Sequence, residues 1–578
     1  MTNQELAKIF YEIASYLEME DVPFKPQAYE RAAMGLEALS EDVEKIYKEG
    51  GEPTIEKIPG VGKSLAEKII EYLKTGKIKY YEDFKKKMPV AMEELTAVEG
   101  IGPKMVRDLW KYLKIKNLKD LEKAARAGKI RKLPNFGEKS EQNILEGIEF
   151  LKRGQGRFLL GEILPEVKRI IENLKGFKEI DKISPAGSIR RMKETIGDAD
   201  ILITLKRNAK PDKIMDFFVT LPGVVKIWGK GQTKSSVRMK QGFDVDIRVV
   251  PQKSFGSALQ YFTGSKEHNI VLRTIAIDKG LKLNEYGVFR RKRKIPTRTE
   301  EEVYKVIGLP WIEPELRENQ GEIEAASAGK LPKIISYDDI LGDLHCHSNW
   351  DGGENSISEI AKAAQKMGYE YIGIADHTKF LRIEHGLGEK QLSLQRKEID
   401  KLNLGFKVQG LRFKVLHGCE ANIMPDGSID IADMALAKLD YVIAGVHSQM
   451  KLPKEKMTER IIRAMKNPHV DIISHPTGRL LQRRDEYEID FDKILKVARE
   501  TRTILEINSF PDRLDLKDTN IKKAKEAGVR MAIDTDSHSI EHLGLIEFGI
   551  AQARRGWAEK EDIINTQSLD KLLKYFGK

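Results

Sequence analysis

The chain has 578 residues, 99 Lys and Arg against 89 Asp and Glu, and a formal net charge of +10. That length leads to an expectation of about four domain-sized units, and a composition of 40% hydrophobic and 33% charged residues excludes a disordered or membrane-embedded chain. Two cysteines, Cys346 and Cys419, exclude a disulfide framework, and "MTNQELAKIF" lacks the basic-then-apolar layout of a leader, so a reducing, cytoplasmic setting without a membrane partner is expected. The basic balance and a pI near 9.0 fit an anionic partner such as nucleic acid, and fit equally a Lys- and Glu-rich surface of thermophile type. Charge alone leaves both open.

The first 150 residues repeat apolar positions at helical spacing, broken by glycine turns, and predict an all-α region. Two stretches share one design: "IPGVGKSLAEKII" with Gly60 and Gly62, and "VEGIGPKMVRDLW" with Gly100 and Gly102. In each, glycines allow a tight turn and leave amide N–H groups at a helix start free to hold a phosphate. "LPNFGEKSEQNIL" is a weaker third copy, with Asn135 in place of the first glycine. A single G-x-G could simply join two packed helices; its repetition in the same apolar frame favours sequence-independent DNA binding. Lys68, on the helix after the first turn, taken alone reads as a solvated lysine.

From about residue 157 strands alternate with helices, an α+β texture. Asp198 and Asp200 in "GDADILIT" stand two apart on a strand, so both carboxylates point to one face, and Asp246 in "FDVDIRVV" can complete an all-oxygen site suited to Mg²⁺. Asp244 shares the face of Asp246 by parity and is the weaker candidate. Upstream, Gly187, Ser188, Arg190 and Arg191 could grip a triphosphate. The polar stretch 318–337 reads as an interdomain linker permitting a hinge.

Beyond residue 338 apolar strands alternate with amphipathic helices, which predicts a β/α barrel with its active rim at the strand C-termini. In "DLHCHSNWDGG" His345 and His347 face one way and Cys346 the other, so the cysteine should pack into the fold and not bind metal. Further strand ends supply His377, Glu420, His447, His475, Asp536 and His538, and Asp351 precedes a glycine turn. A lone histidine of this kind is usually buried and satisfied, but so many at strand ends suit two or three ions of Zn²⁺, Mn²⁺ or Fe²⁺. Such clusters activate water for phosphoester hydrolysis.

The order "GS-x-RR…GDAD…DVDIR…YFTGS…LNEYG" resembles that of family X DNA polymerases over residues 1 to 317. The resemblance implies a multidomain fold: a lyase-like helical domain at 1–88, helix-hairpin-helix fingers at 89–155, a nucleotidyltransferase palm at 156–255 and a thumb at 256–317. It also implies catalysis and two Mg²⁺ or Mn²⁺ ions at Asp198, Asp200 and Asp246, and triphosphate binding by Gly187, Ser188 and Arg191. Tyr261 and Phe262, with Gly264 and Ser265, match the segment that crowds the sugar; Asn269 and Arg273 match minor-groove contacts. Lys68, Lys25 and Tyr29 occupy lyase-type positions, but Ser64 replaces a second lysine, Phe24 an expected histidine, and Lys266 an aspartate. Those departures put lyase chemistry in question and leave 5′-phosphate binding.

Residues 338–578 resemble the PHP (polymerase and histidinol phosphatase) domain, a distorted barrel with a trinuclear site, and all nine strand-end residues fall on its ligand pattern. The resemblance implies an active hydrolytic site, with Asp343 orienting a histidine; Arg479, Arg483 and Arg484 in "HPTGRLLQRRD" read either as contacts to substrate phosphates or as solvated loop charges. The expected whole is a monomeric repair polymerase that fills gaps in primed double-stranded DNA from deoxynucleoside triphosphates in base excision repair. Its PHP domain would supply 3′-5′ exonuclease or 3′-end processing, with AP endonuclease activity an open candidate. Two rivals remain: a DNA-end phosphoesterase whose polymerase half only clamps DNA, and a non-enzymatic DNA-end scaffold with structural metals.

Overall fold

Apolar residues at three- and four-residue spacing fold the N-terminal region into helices, among them Thr2–Met19, Lys25–Glu37, Lys63–Thr75, Pro103–Leu113 and Glu138–Arg153. The computed structural model describes residues 2–37, 43–58, 60–98, 101–134, 136–153, 156–381 and 384–577. The chain forms two units: 1–155 with 482–484, and 156–481 with 485–578. In the first, one apolar core runs from Leu6 to Ile148, so the regions 1–88 and 89–155 are not separately packed. Tyr16 illustrates the continuity: its ring stacks on Phe84 at 5.3 Å, and its hydroxyl reaches across the boundary to the carbonyl of Val90 at 3.5 Å.

The second unit begins with a five-stranded palm sheet. Asp198–Leu205 pairs antiparallel with Ile180–Ala186 and parallel with Asp244–Val249; Lys234–Met239 and then Val224–Lys230 follow outward. Helices Leu160–Lys175 and Asp212–Val219 bury Ile163, Ile170 and Phe218 against Ile201, Ile203 and Val245 of the sheet. The thumb adds helices Phe255–Thr263, Lys266–Asp278 and Glu300–Ile307 around a small antiparallel sheet spanning 281–295.

The stretch 318–337 is built into the fold instead of hanging free. It carries the helix Glu322–Ser327, which places Ile323 and Ala326 in the thumb core, and Ile335 is fully buried in the next domain. Glu322 is fully buried as well and accepts from His268 Nδ1 at 2.6 Å. Polar composition misled here because the polar groups are satisfied by buried partners from the thumb.

The C-terminal domain is a distorted barrel of eight parallel strands in sheets of three and five. Bridges His377↔Glu420 and Cys346↔Ser537 join the two sheets at both seams. Leu344, Tyr371, Leu416, Ile443, Ile472 and Ile504 fill one cluster with Leu572 and Phe576 of the C-terminal segment, whereas the covering helices pack into a larger one. The strands read as continuous apolar runs because both faces are covered. Among the described residues no helix is long and apolar enough to cross a membrane.

Candidate active sites

On the palm, parallel pairing sets Asp200 directly beside Asp246 and Asp198 beside Asp244. Burial, together with the neighbouring Asp198, pushes the Asp200 carboxyl up to about 6. Basic side chains offset this crowding: Arg248 lies 3.6 Å from Asp200 and 3.2 Å from Asp246, and Lys234 lies 2.7 Å from Asp246. Asp244 is committed elsewhere, to Arg238 through two bonds of 2.8 and 2.9 Å and to the Trp228 indole at 2.8 Å. Asp246 is paired as well, with Lys234, Arg248 and the Ser236 hydroxyl, so partners do not choose between the two; what sets Asp246 apart is its place directly beside Asp200. A divalent cation fits the remaining three carboxylates in chemistry, as an all-oxygen set whose mutual repulsion it would relieve.

The turn after Ile180–Ala186 carries the triphosphate candidates. Gly187 has φ 67°, and a Cβ there would stand 3.4 Å from the Asp200 carboxylate. Ser188 lies in the short helix Gly187–Arg190. Arg191 donates from Nε to Glu318 at 2.8 Å and from Nη1 to the carbonyl of Thr263, whereas Arg190 is spent on Glu300 at 2.6 Å and is not available to a nucleotide. Tyr261 and Phe262 meet edge to face at 5.3 Å, with the Arg248 guanidinium 4.6 Å from the Phe262 ring centre. Asn269 holds the carbonyl of Tyr261 at 2.7 Å and accepts from Gln260 at 2.6 Å, so its amide braces that segment. Gly264 has φ 72°, and Ser265 caps the helix Lys266–Asp278 by accepting from the N–H of His268. Arg273 and Lys266 are exposed on that helix.

In the N-terminal unit Gly62 and Gly102 are the N-caps of helices Lys63–Thr75 and Pro103–Leu113, neither with a side-chain cap bond and both facing open space. Gly60 has φ 76° and abuts the backbone of Arg31; Gly100 and Asn135 lie outside the described residues. Lys68 Nζ donates to the Ser64 carbonyl at 3.2 Å and sits 5.5 Å from the Tyr80 ring centre. Lys25 is exposed, and Tyr29 is buried edge-on to Phe10 at 5.4 Å.

The barrel rim gathers the strand-end residues around Glu420, which is fully buried. His377 Nδ1 lies 2.8 Å from it, His475 Nε2 3.1 Å, His447 Nε2 3.2 Å and His345 Nε2 3.5 Å. His347 sits between Asp351 at 2.7 Å and Asp536 at 3.3 Å. Ligand atoms fall into compact groups: His345, His347 and Asp536; His347, His377 and His538; His377, Glu420 and His447; and His347, Asp351 and Asp376. The palm carboxylates do not form so tight a group among the described residues.

Four rim atoms, His345 Nε2, His347 Nε2, His377 Nδ1 and Glu420 Oε2, are buried without a hydrogen-bond partner. Four orphaned lone-pair carriers in one place are costly unless cations meet them, so the donor set fits bound metal. Burial lowers the His347 imidazole, but Asp351 and Asp536 outweigh it and push it up to about 10. His475 and Asp536 adopt φ values of 29° and 54°, a left-handed backbone that non-glycine residues seldom hold outside constrained sites. Cys346 is fully buried in the apolar core.

Sequence reasoning missed three rim residues and misplaced four others. Glu506, on the strand Ile504–Asn508, accepts from His345 Nδ1 at 2.5 Å and from the N–H of His475. Asp343 accepts from the backbone N–H groups of His345 and Thr535 and from the Thr535 hydroxyl, and so braces the strand; it is Glu506 that orients the imidazole. Asp376 is fully buried, with its carboxyl pushed up to about 7 by burial and by Asp351. Arg513 reaches to 3.7 Å from Asp536. Arg479 points away from the rim, clasping Glu194 of the palm at 2.6 and 3.3 Å, and Arg483 and Arg484 belong to the first unit. An acidic residue inside the apolar run "TILEINS" was the available signal for Glu506.

Residues 1–78 match a helix-hairpin-helix domain, 92–149 a SAM-like helix-hairpin-helix tandem, 258–318 the DNA polymerase beta thumb and 343–510 the PHP domain. The chain is 38% identical over 574 residues, 98% of both sequences, to the DNA polymerase/3′-5′ exonuclease PolX of Bacillus subtilis. It is 28% identical over 297 residues to rat DNA polymerase lambda, covering 45% of this chain and 48% of that one. A probable phosphatase of Thermoanaerobacter sp. is 33% identical over 236 residues, 39% of this chain and 89% of that one. The chain belongs to the family X DNA polymerases that carry helix-hairpin-helix, thumb and PHP domains. It is accordingly a DNA-binding protein with sites for divalent cations.

Proposed function

We propose that the protein is a template-directed DNA polymerase that fills short gaps during base excision repair and trims 3′ ends with its PHP domain. The observation that carries the reading is the coexistence of two unlike sites. One is an oxygen-only trio on adjacent palm strands; the other is a His-rich rim around Glu420. Asp198, Asp200 and Asp246 would hold two Mg²⁺ or Mn²⁺ ions, whose part is to favour loss of the 3′-hydroxyl proton and to balance charge on the leaving pyrophosphate. Arg191 and Ser188 orient the triphosphate, and the Tyr261–Phe262 segment braced by Asn269 limits space at the sugar.

In the PHP domain His345, His347, Asp351, His377, Glu420, His447, His475, Asp536 and His538 would hold two or three Zn²⁺, Mn²⁺ or Fe²⁺ ions, which supply activated water for phosphodiester hydrolysis. Glu506 fixes the His345 tautomer, and Arg513 sits where it can meet the phosphate of a bound strand. The open amides at Gly62 and Gly102 favour backbone phosphates without reading bases. We also place the protein in the cytoplasm, as a monomer, with AP endonuclease activity a further candidate reaction of the rim.

The test compares primer extension and 3′-end degradation on gapped DNA for wild type, Asp198→Ala and His345→Ala. Asp198→Ala should abolish extension and spare degradation, and His345→Ala should do the reverse. Normal extension by Asp198→Ala would sink the polymerase assignment; unchanged degradation by His345→Ala would reduce the rim to a structural role.

A further inference from the structure

The PHP helix Ile546–Arg555 ends against the triphosphate turn of the palm, and the two domains share packing there. Leu514 and Phe548 of the PHP domain belong to the palm core, and Lys168 of the palm pairs with Glu547 at 2.6 Å. The side chain of Arg555 is fully buried. Its Nη1 donates to the carbonyl of Arg191 at 3.0 Å and to Glu318 Oε1 at 3.1 Å, and its Nη2 to the Asp518 carboxylate. Glu318 Oε1 is the same oxygen that accepts from Arg191 Nε, and Lys193 lies 3.6 Å from its other oxygen.

Two arginines from different domains therefore divide one carboxylate oxygen. Burial opposes the charge on Arg555, but Asp518 and Glu318 outweigh it and keep the guanidinium ionised. Arg191, Lys193 and Arg555 thus meet Glu318 in one cluster, with Asp518 holding the far side of Arg555. The bonds from Arg191 to Glu318 and to the Thr263 carbonyl use Nε and Nη1, and leave Nη2 for an anion.

We propose that Arg555 of the PHP domain is a positioning residue of the polymerase: by sharing Glu318 and holding the Arg191 carbonyl, it keeps Arg191 oriented and charge-available for the incoming triphosphate. The proposal rests on the reading of Arg191 as a triphosphate contact. Without Arg555, Glu318 pairs wholly with Arg191 and competes with the nucleotide for it.

The experiment measures nucleotide KM and kcat for single-nucleotide gap filling by the full chain. Metal-dependent 3′-end hydrolysis and thermal melting are followed in parallel. Arg555→Met should raise the nucleotide KM about tenfold with a smaller change in kcat, and hydrolysis should stay at the wild-type rate. Arg555→Lys, which keeps charge but cannot span both carboxylates, should fall between. Adding Glu318→Gln to Arg555→Met should bring KM back toward wild type, because the competing charge is gone. If Arg555→Met does not fold, Arg555→Met with Asp518→Asn strands no charge and carries the same expectation.

A wild-type KM in Arg555→Met, when Arg191→Ala raises it, overturns the proposal while sparing the triphosphate reading. An unchanged KM in Arg191→Ala overturns both. A rise in KM that Glu318→Gln does not relieve means lost packing and not lost positioning, and also overturns it.

Discussion

Replacing Glu506 by glutamine changes one atom for another of similar size, yet it should disable the hydrolytic rim. Glu506 Oε2 accepts from the N–H of His475 and, at 3.2 Å, from the Asn508 amide, so that side must remain an oxygen. The new NH₂ is then forced toward His345 Nδ1, where Glu506 Oε1 now accepts at 2.5 Å. Two donors would face each other unless the imidazole moves its proton to Nε2, the atom that points to Glu420 and Asp536. A protonated Nε2 has no lone pair for a metal. Loss of such an orienting partner costs about 10- to 100-fold in metal affinity or activity, or about 1.4 to 2.8 kcal/mol. Keeping the original tautomer instead leaves a buried donor clash worth about 1–3 kcal/mol. Chelator competition with metal analysis of the purified variant measures the first outcome, and 3′-end hydrolysis on primed DNA the second, with primer extension as the internal control. Wild-type metal affinity and hydrolysis in Glu506→Gln would refute the tautomer argument, because no arrangement of the amide satisfies both neighbours while His345 Nε2 keeps its lone pair.

Three further outcomes follow from the thumb and the first hairpin. Glu300 is nearly fully buried, and although burial raises its carboxyl, Arg317 and Arg190 outweigh it and hold the pKa near 2. Because the folded value lies below an unfolded value of about 4.3, its contribution is fully present above about pH 4.3 and is lost as pH falls toward 2; it is on the order of 3 kcal/mol. Acid unfolding of Glu300→Gln should therefore be less steep across that window, and an unchanged slope would contradict the pairing. In the first hairpin, Gly60→Ala places a Cβ 2.7 Å from the Arg31 backbone at φ 76° and should cost at least about 1 kcal/mol in melting experiments. Gly62→Ala meets open space, so it should melt like wild type but bind gapped DNA more weakly in salt titrations. Unchanged binding would show that the second glycine is only a joint between helices.

Local period made much of this protein readable. A two-residue repeat puts Asp198 and Asp200 on one face, and the same rule separates His345 and His347 from Cys346; each needs only the geometry of one strand. Glycine turns opening helices and histidines ending apolar strands are likewise signals contained within a dozen residues. What the period could not reach were partners distant in the chain. Asp244 and Asp246 are equivalent by parity, and only the pairing of two strands sets Asp246, and not Asp244, directly beside Asp200. Arg479, read as a substrate contact, turns to Glu194, 285 residues away. The polar 318–337 stretch looked like a free hinge because composition records polarity and not whether a buried partner satisfies it. The sequence by itself determined the set of domains and the chemistry each can hold, since strand and helix periods are local. Only the tertiary structure decided that Arg555 and Arg191 divide the charge of Glu318, because an ion pair depends on which surfaces meet when two domains pack.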